Sequence, residues 1–147
     1  MGETSFDINN KRINVNLGPI GTNLSVMAHE FRHGYGYLNG ELLGAKGTDP
    51  LYDIMDEVVV VNAGHLFLDK KTAAGVANGR FNLDWFKSTA KSKGDCAALV
   101  GRKEQLTTNT SAADFIKYNP SSKISFVVGF KNNSNMTLMQ AIDFLNK

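Results

Sequence analysis

His29, Glu30 and His33 stand in the spacing His-Glu-x-x-His, which combines residue types that bind a metal ion and move a proton. In a helix of about 3.6 residues per turn, the two histidines lie one turn apart on the same face, so both imidazoles can reach one ion. Glu30 is then about a hundred degrees round the helix, beside the ion. From there it can take a proton from a metal-bound water. The spacing therefore predicts metal-assisted hydrolysis.

The residues around the motif favour a helix that is partly buried. Two of the three histidines of the chain fall within the motif. Thr22 or Asn23 can cap the start of the helix, and Gly40 can end it. Two other interpretations of the motif are a solvated helix and a metal-free relative of a metalloenzyme. The apolar residues that would bury the helix are Leu24, Val26, Met27, Ala28 and Phe31.

With these flanks, residues 24–40 resemble the active-site helix of the zincin metallopeptidases. The resemblance implies Zn2+ as cofactor, a polypeptide substrate, and Glu30 as the catalytic general base. Arg32 departs from the pattern, because the two residues between Glu and the second His are usually uncharged. Asn39 stands where the metzincins have a third histidine, and an asparagine amide is a poor zinc ligand. The closer resemblance is therefore to the gluzincins.

A gluzincin site implies a third zinc ligand, a glutamate on a second helix some twenty residues beyond the second histidine. Glu57 lies 24 residues beyond His33 and is the predicted ligand. Asp53, one turn earlier, is predicted as an outer partner or an alternative ligand, and Asp56 is the next candidate. The pattern Asn-Glu-x-x-Ser-Asp, usual around that glutamate, is absent. The other interpretation is that these acidic residues are solvated at a helix N-terminus, where the helix dipole favours them.

A peptidase also needs a hydrogen-bond donor for the oxyanion that forms during hydrolysis. His65 lies about two turns beyond Glu57 and could donate this bond or replace Glu57 as ligand, although a lone histidine is more often a surface residue. Tyr35, Tyr37 and Tyr52 are alternative donors, with packing in the core or the cleft wall as the other interpretation.

The elements that must position these residues are two helices and a small sheet. Residues 11–17 alternate polar and apolar and predict a half-buried strand; in zincins, a strand placed before the motif helix can pair with an extended peptide. Residues 51–69 are predicted as a helix, although the valines at 58–61 favour a strand. Further helices are predicted at 82–92, 95–105, 112–118 and 136–146, and a strand at 123–130. The predicted fold class is α+β: a compact zincin-like domain.

Length and composition limit the number of domains and the classes of protein to which the chain can belong. The 147 residues suit one domain, and 42% hydrophobic with 20% charged residues is typical of a globular protein. A net charge of +2 gives no argument for nucleic acid as a partner. No apolar run reaches the roughly 18 residues of a membrane span. Cys96 is the single cysteine, so no intrachain disulfide can form.

The biological setting is predicted from size and motif. Only 28 residues precede His29, fewer than most zincins use for the sheet upstream of the motif. The resemblance therefore implies that residues 1–147 are a single domain and a fragment of a longer protein. Small zincin domains without a signal peptide resemble bacterial metallopeptidase effectors and the toxin tips of Rhs-type proteins. That resemblance implies a bacterial cytoplasmic or secreted effector domain. The alternative function is a non-catalytic zinc-binding or pseudo-enzyme interaction domain, and the substrate and oligomeric state stay open.

Overall fold

The computed structural model describes residues 2–7, 10, 12–19, 23–44, 51–90, 103–120, 122, 124–125 and 135–147. In this part of the chain, an antiparallel pair of strands precedes a series of helices, which is the predicted α+β fold. The strands are β1 (Glu3–Asp7) and β2 (Arg12–Asn16). The helices are α1 (Leu24–Leu38), α2 (Ile54–His65), α3 (Lys70–Ala77), α4 (Leu83–Ala90), α5 (Ala112–Tyr118) and α6 (Leu138–Asn146).

The strand predicted at 11–17 is confirmed as β2, and its alternation matches its burial. Ile13 and Val15 are half-buried, whereas the polar residues between and beside them are exposed. Its partner β1 was not predicted, because Phe6 is the only large apolar side chain of that strand. In the observed register, Thr4 lies opposite Val15 and Phe6 lies opposite Ile13.

The motif helix α1 begins and ends where its capping residues allow. The Asn23 side chain accepts a hydrogen bond from the Ser25 backbone N–H, as an N-cap does. Gly40 follows the C-cap residue Asn39 with a φ of 68°, a left-handed conformation that favours glycine. The predicted bounds of this helix are thereby confirmed.

The second helix is confirmed between residues 54 and 65, inside the predicted range 51–69. Asp53 and Asp56 form a capping box that fixes the start of α2. Ile54 and Val58 are buried in a small core with Phe86 of α4. Capping and burial together outweigh the strand preference of the β-branched valines.

Helices α1 and α2 pack closely and run antiparallel. Gly64, near the end of α2, lies against Ser25 and His29 of α1, while Glu57, near the start of α2, lies beside His33. A Cβ atom at Gly64 would come within 2.9 Å of the Ser25 carbonyl oxygen. Glycine therefore permits the close approach that brings the two helices, and their polar side chains, together.

A separate apolar core supports the C-terminal helices. It joins α5 and α6 to the segment before α2, and Phe115 and Ile124 within it are fully buried. The buried members are Leu51, Leu106, Ala112, Phe115, Ile124, Leu138, Ala141 and Ile142. Because Leu51 belongs to this core, the segment that leads into α2 is anchored to the C-terminal helices.

The other predictions have mixed outcomes. The helices predicted at 82–92, 112–118 and 136–146 are confirmed as α4, α5 and α6, whereas α3 was not predicted. Within the predicted strand 123–130, Ile124 and Ser125 are helical, so the prediction is wrong at these positions; the other residues of that strand lie outside the described part. Cys96 and most of the helix predicted at 95–105 also lie outside it, and residues 103–105 are not helical.

The length and the apolar content of a helix determine whether it can cross a membrane. None of the helices in the described part of the chain combines the length and the apolar character needed to cross a bilayer. The prediction of no membrane span holds for these residues.

Candidate metal centre

The structure brings together His29, His33 and Glu57, the three predicted metal ligands. One ligand atom from each residue lies within 4.8 Å of the other two. The two imidazole Nε2 atoms are 3.3 Å apart, and His29 Nε2 is 3.4 Å from Glu57 Oε1. His33 Nε2 is 3.8 Å from Glu57 Oε2. Among the described residues, this is the cluster of His, Cys, Asp and Glu side chains with the geometry to hold an ion.

The convergence follows from the two helices. His29 and His33 are one turn apart on α1, so their side chains project from the same face of the helix. Glu57 lies in the first turn of α2, which runs antiparallel against that face, and its side chain is buried. The three donors therefore converge because α1 and α2 pack directly against each other.

The spacing and the chemistry of the three donors both fit Zn2+. Zinc bonds of about 2.0–2.1 Å in a tetrahedral arrangement place neighbouring ligand atoms about 3.3 Å apart. The two shorter observed distances, 3.3 Å and 3.4 Å, match this value. Burial, then the neighbouring His29 and then Arg32, lower the pKa of His33 to about 4. The His33 imidazole is therefore neutral at neutral pH, as a metal ligand must be.

Tyr52 contacts two of the three ligands. Its hydroxyl lies 2.7 Å from His33 Nδ1 and donates to Glu57 Oε2 at 2.8 Å. Burial, and next the charge of the Glu57 carboxylate, raise the pKa of Tyr52 above its ordinary value, so the hydroxyl keeps its proton. The sequence pointed to Tyr52 only as one of several oxyanion donors. The structure places Tyr52 before the first residue of α2, so the helical spacing assumed for residues 51–69 gave no signal of these contacts.

Glu30 lies on the side of α1 that faces the hairpin, and its side chain is 5% exposed. The Thr4 hydroxyl of β1 donates to Glu30 Oε2 at 2.7 Å and approaches the Glu30 carbonyl oxygen at 3.0 Å. Gly2 lies over the same carboxylate, and a Cβ at Gly2 would come within 2.6 Å of Oε1. The N-terminal strand thus covers the predicted base. No pattern in the sequence indicates this contact, because Thr4 and Glu30 are 26 residues apart.

Asp53 and Asp56 are placed as helix-capping residues rather than in the cluster. Asp53 Oδ1 accepts from the Asp56 N–H, and Asp56 Oδ2 accepts from the Asp53 N–H. Asp53 Oδ2 also accepts from the Leu106 N–H at 2.6 Å. Burial is the main cause that raises the pKa of Asp56 to about 7. The structure therefore groups neither residue with His29 and His33.

Replacing Asp53 by alanine is expected to lower the free energy of unfolding by about 1–3 kcal/mol, because it removes an N-cap and leaves the Leu106 N–H unpaired. Asp69 is a matched control, since it caps α3 but is exposed, and its described hydrogen bonds go to residues of the first turn of α3. Asp69→Ala should cost less, and urea unfolding of both variants measures the difference. An equal cost for the two would show that the bond to Leu106 contributes nothing.

The structure does not bring His65 to the cluster. His65 is the last residue of α2, and eight residues of helix place it about 12 Å beyond Glu57 along the axis. Its ring packs edge-on against Phe81 and Trp85, at centroid distances of 4.3 Å and 5.5 Å. The position therefore suits packing at the end of α2.

The two tyrosines of α1 also have other surroundings. Tyr35 is 56% exposed, with the Arg32 guanidinium over its ring. The Tyr37 ring packs against Phe6 of β1 at 4.4 Å. Of the four predicted oxyanion donors, Tyr52 alone has a described hydrogen bond to residues of the cluster.

Comparison with known proteins adds no relative to this picture. No family model, no curated protein and no solved structure matches the chain. An assignment of function must therefore rest on the geometry of His29, His33 and Glu57.

Proposed function

We propose that this protein is a zinc-dependent metallopeptidase of zincin type. The observation that carries the proposal is the convergence of His29, His33 and Glu57 on one point, with spacings that suit Zn2+. Three protein ligands, rather than four, are typical of a catalytic zinc site, because one position stays open for water or substrate.

The residues then have distinct roles. A bound zinc ion would act as a Lewis acid that polarises the scissile carbonyl, and it would lower the pKa of the water molecule that it binds. Glu30 takes the proton of the attacking water and returns it to the leaving amine, as a general base and then a general acid. The Thr4 hydroxyl donates a hydrogen bond to one carboxylate oxygen of Glu30. This bond restrains the Glu30 side chain during the proton transfer.

A polypeptide substrate suits the position of the hairpin. In the described part of the chain, the sheet has only two strands, so β1 and β2 each have one edge without a strand partner. β1 lies against Glu30 through Thr4, which places the sheet beside the proposed base. An extended peptide that paired with such an edge would be bound through its backbone, with little sequence preference.

The cover over Glu30 favours a second candidate function, a non-catalytic zinc-binding interaction domain. In that case the Thr4–Glu30 bond would serve to dock β1 on α1, and the buried carboxylate would not act as a base. Zinc would then stabilise the fold. The two candidates agree on the ligands and differ on Glu30.

Metal analysis of the purified protein tests the property that both candidates share. We expect one zinc per chain, lost on treatment with a chelator. Protein without zinc, after supply of zinc during expression, would contradict both candidates. Zinc-loaded protein that cleaves an unfolded-protein substrate would support the peptidase.

Glu57→Ala is expected to weaken zinc binding far more than Asp56→Ala. Loss of an outer partner of a zinc ligand typically costs 10- to 100-fold in affinity, so the loss of a ligand should exceed about 100-fold. Asp56 is a matched control, since it is the adjacent acidic residue in the first turn of α2. Competition titration with a chromophoric chelator gives both affinities. Equal effects on the zinc affinity, or a larger effect for Asp53→Ala, would show that Glu57 is not the third ligand.

A further inference from the structure

We propose that Tyr52 is a positioning residue that selects which atoms of His33 and Glu57 face the metal. The inference rests on the proposed zinc site and concerns a residue outside the His-Glu-x-x-His motif. One hydroxyl lies within hydrogen-bond distance of both ligands, 2.7 Å from His33 Nδ1 and 2.8 Å from Glu57 Oε2.

The single proton of the Tyr52 hydroxyl determines the direction of both bonds. An ionised carboxylate only accepts hydrogen bonds, so Tyr52 must donate its proton to Glu57. Tyr52 Oη can then only accept from His33, which requires the proton of a neutral His33 to be on Nδ1. Nε2 therefore carries the lone pair, and Nε2 is the atom that lies 3.3 Å from His29 Nε2. The bond selects the tautomer that can bind an ion at the cluster.

The same hydroxyl distinguishes the two oxygens of Glu57. Oε2 accepts the Tyr52 proton and lies 3.8 Å from His33 Nε2, whereas Oε1 lies closer to an imidazole nitrogen, 3.4 Å from His29 Nε2. A carboxylate oxygen that accepts a strong hydrogen bond is a poorer metal donor, so Oε1 becomes the ligand atom. Binding through one oxygen keeps the number of protein donors at three. That number leaves the site open for water and substrate.

Tyr52 itself is held firmly enough to act in this way. The preceding residue, Leu51, is buried in the C-terminal core, and its N–H donates to the Leu43 carbonyl oxygen at 2.7 Å. The following residue, Asp53, caps α2 and accepts from the Leu106 N–H. The tyrosine is therefore fixed on both sides, and its hydroxyl position is set by the core rather than by a free loop.

Tyr52→Phe is the test, because it removes the hydroxyl and keeps the ring. We expect the variant to bind Zn2+ about 10- to 100-fold more weakly than the wild type in a chelator competition titration. Tyr35→Phe makes the same change on the exposed side of α1 and should leave the affinity unchanged. If the wild type binds zinc and Tyr52→Phe binds it with the same affinity, the role of Tyr52 is overturned and the proposed function is not. A wild type that binds no zinc would overturn the proposed function and this inference with it.

A second measurement separates positioning from general stabilisation. In the metal-free wild type, at a pH well above the imidazole pKa, nitrogen-15 NMR should show the His33 proton on Nδ1. In Tyr52→Phe this preference should weaken, because the acceptor of that proton is gone. A His33 proton on Nε2 in the wild type, or one on Nδ1 to the same extent in both proteins, would overturn the tautomer argument.

Discussion

Replacing Glu30 by glutamine is expected to leave zinc binding intact and to lower peptide hydrolysis by about 10²- to 10⁴-fold, the usual contribution of a general base. An amide has nearly the size of the carboxylate but cannot accept the proton of the attacking water. The effect should therefore appear in the rate of the chemical step, without loss of the metal.

The surroundings of Glu30 can accept a glutamine without a change in the fold. The Thr4 hydroxyl that now donates to Glu30 Oε2 can donate equally to an amide oxygen. The amide also fits where the carboxylate fits, under Gly2. We therefore expect the hairpin to stay docked on α1, and circular dichroism with a zinc determination verifies that fold and metal are retained.

The assay is cleavage of a mixed unfolded-protein substrate by wild type, by Glu30→Gln and by chelator-treated protein. Asp143→Asn is a control for the loss of one negative charge, since Asp143 is an exposed residue of α6. It should cleave at the wild-type rate. Glu30→Gln cleaving as fast as wild type would refute the role of Glu30 as base. A zinc-loaded wild type without activity on any unfolded protein would favour the non-catalytic candidate.

The parts of the site that lie on one helix could be predicted from the sequence. His29 and His33 face the same way because the helix fixes residues four apart, and Asn23 and Gly40 mark its ends. Glu57 lies on a second helix, and it was predicted only because the resemblance to the gluzincins was combined with a helix predicted over residues 51–69. For the two histidines and the helix ends the deciding interactions are local, so a pattern within about twenty residues contains them.

The contacts that the sequence did not predict join distant parts of the chain. Thr4 is 26 residues from Glu30, and Asp53 is 53 residues from Leu106. Their pairing depends on how α1 packs on the hairpin and how α2 packs on the C-terminal core, and no periodicity encodes this. Asp53 shows the consequence: its acidic side chain and helical spacing made it a candidate ligand, but its bond to Leu106 and the capping box give it a structural role.

His29→Ala and His33→Ala are each expected to abolish stoichiometric zinc binding. Two remaining donors are too few to hold the ion against water and a competing chelator. The chain has three histidines, so His65→Ala is the matched control. Because His65 packs against Phe81 and Trp85 at the far end of α2, its removal should lower stability but keep the zinc.

Thermal unfolding with and without zinc gives the readout for all three variants. Zinc at about 100 times its dissociation constant should add about 2.7 kcal/mol to the wild type, since it binds only the folded state. For a chain of this size, that corresponds to a rise in Tm of roughly 5–10 °C. His65→Ala should keep this rise from a lower starting Tm, whereas His29→Ala and His33→Ala should show none. A full zinc-dependent rise in either of these two would contradict the proposed site, and its loss in His65→Ala would make His65 a ligand.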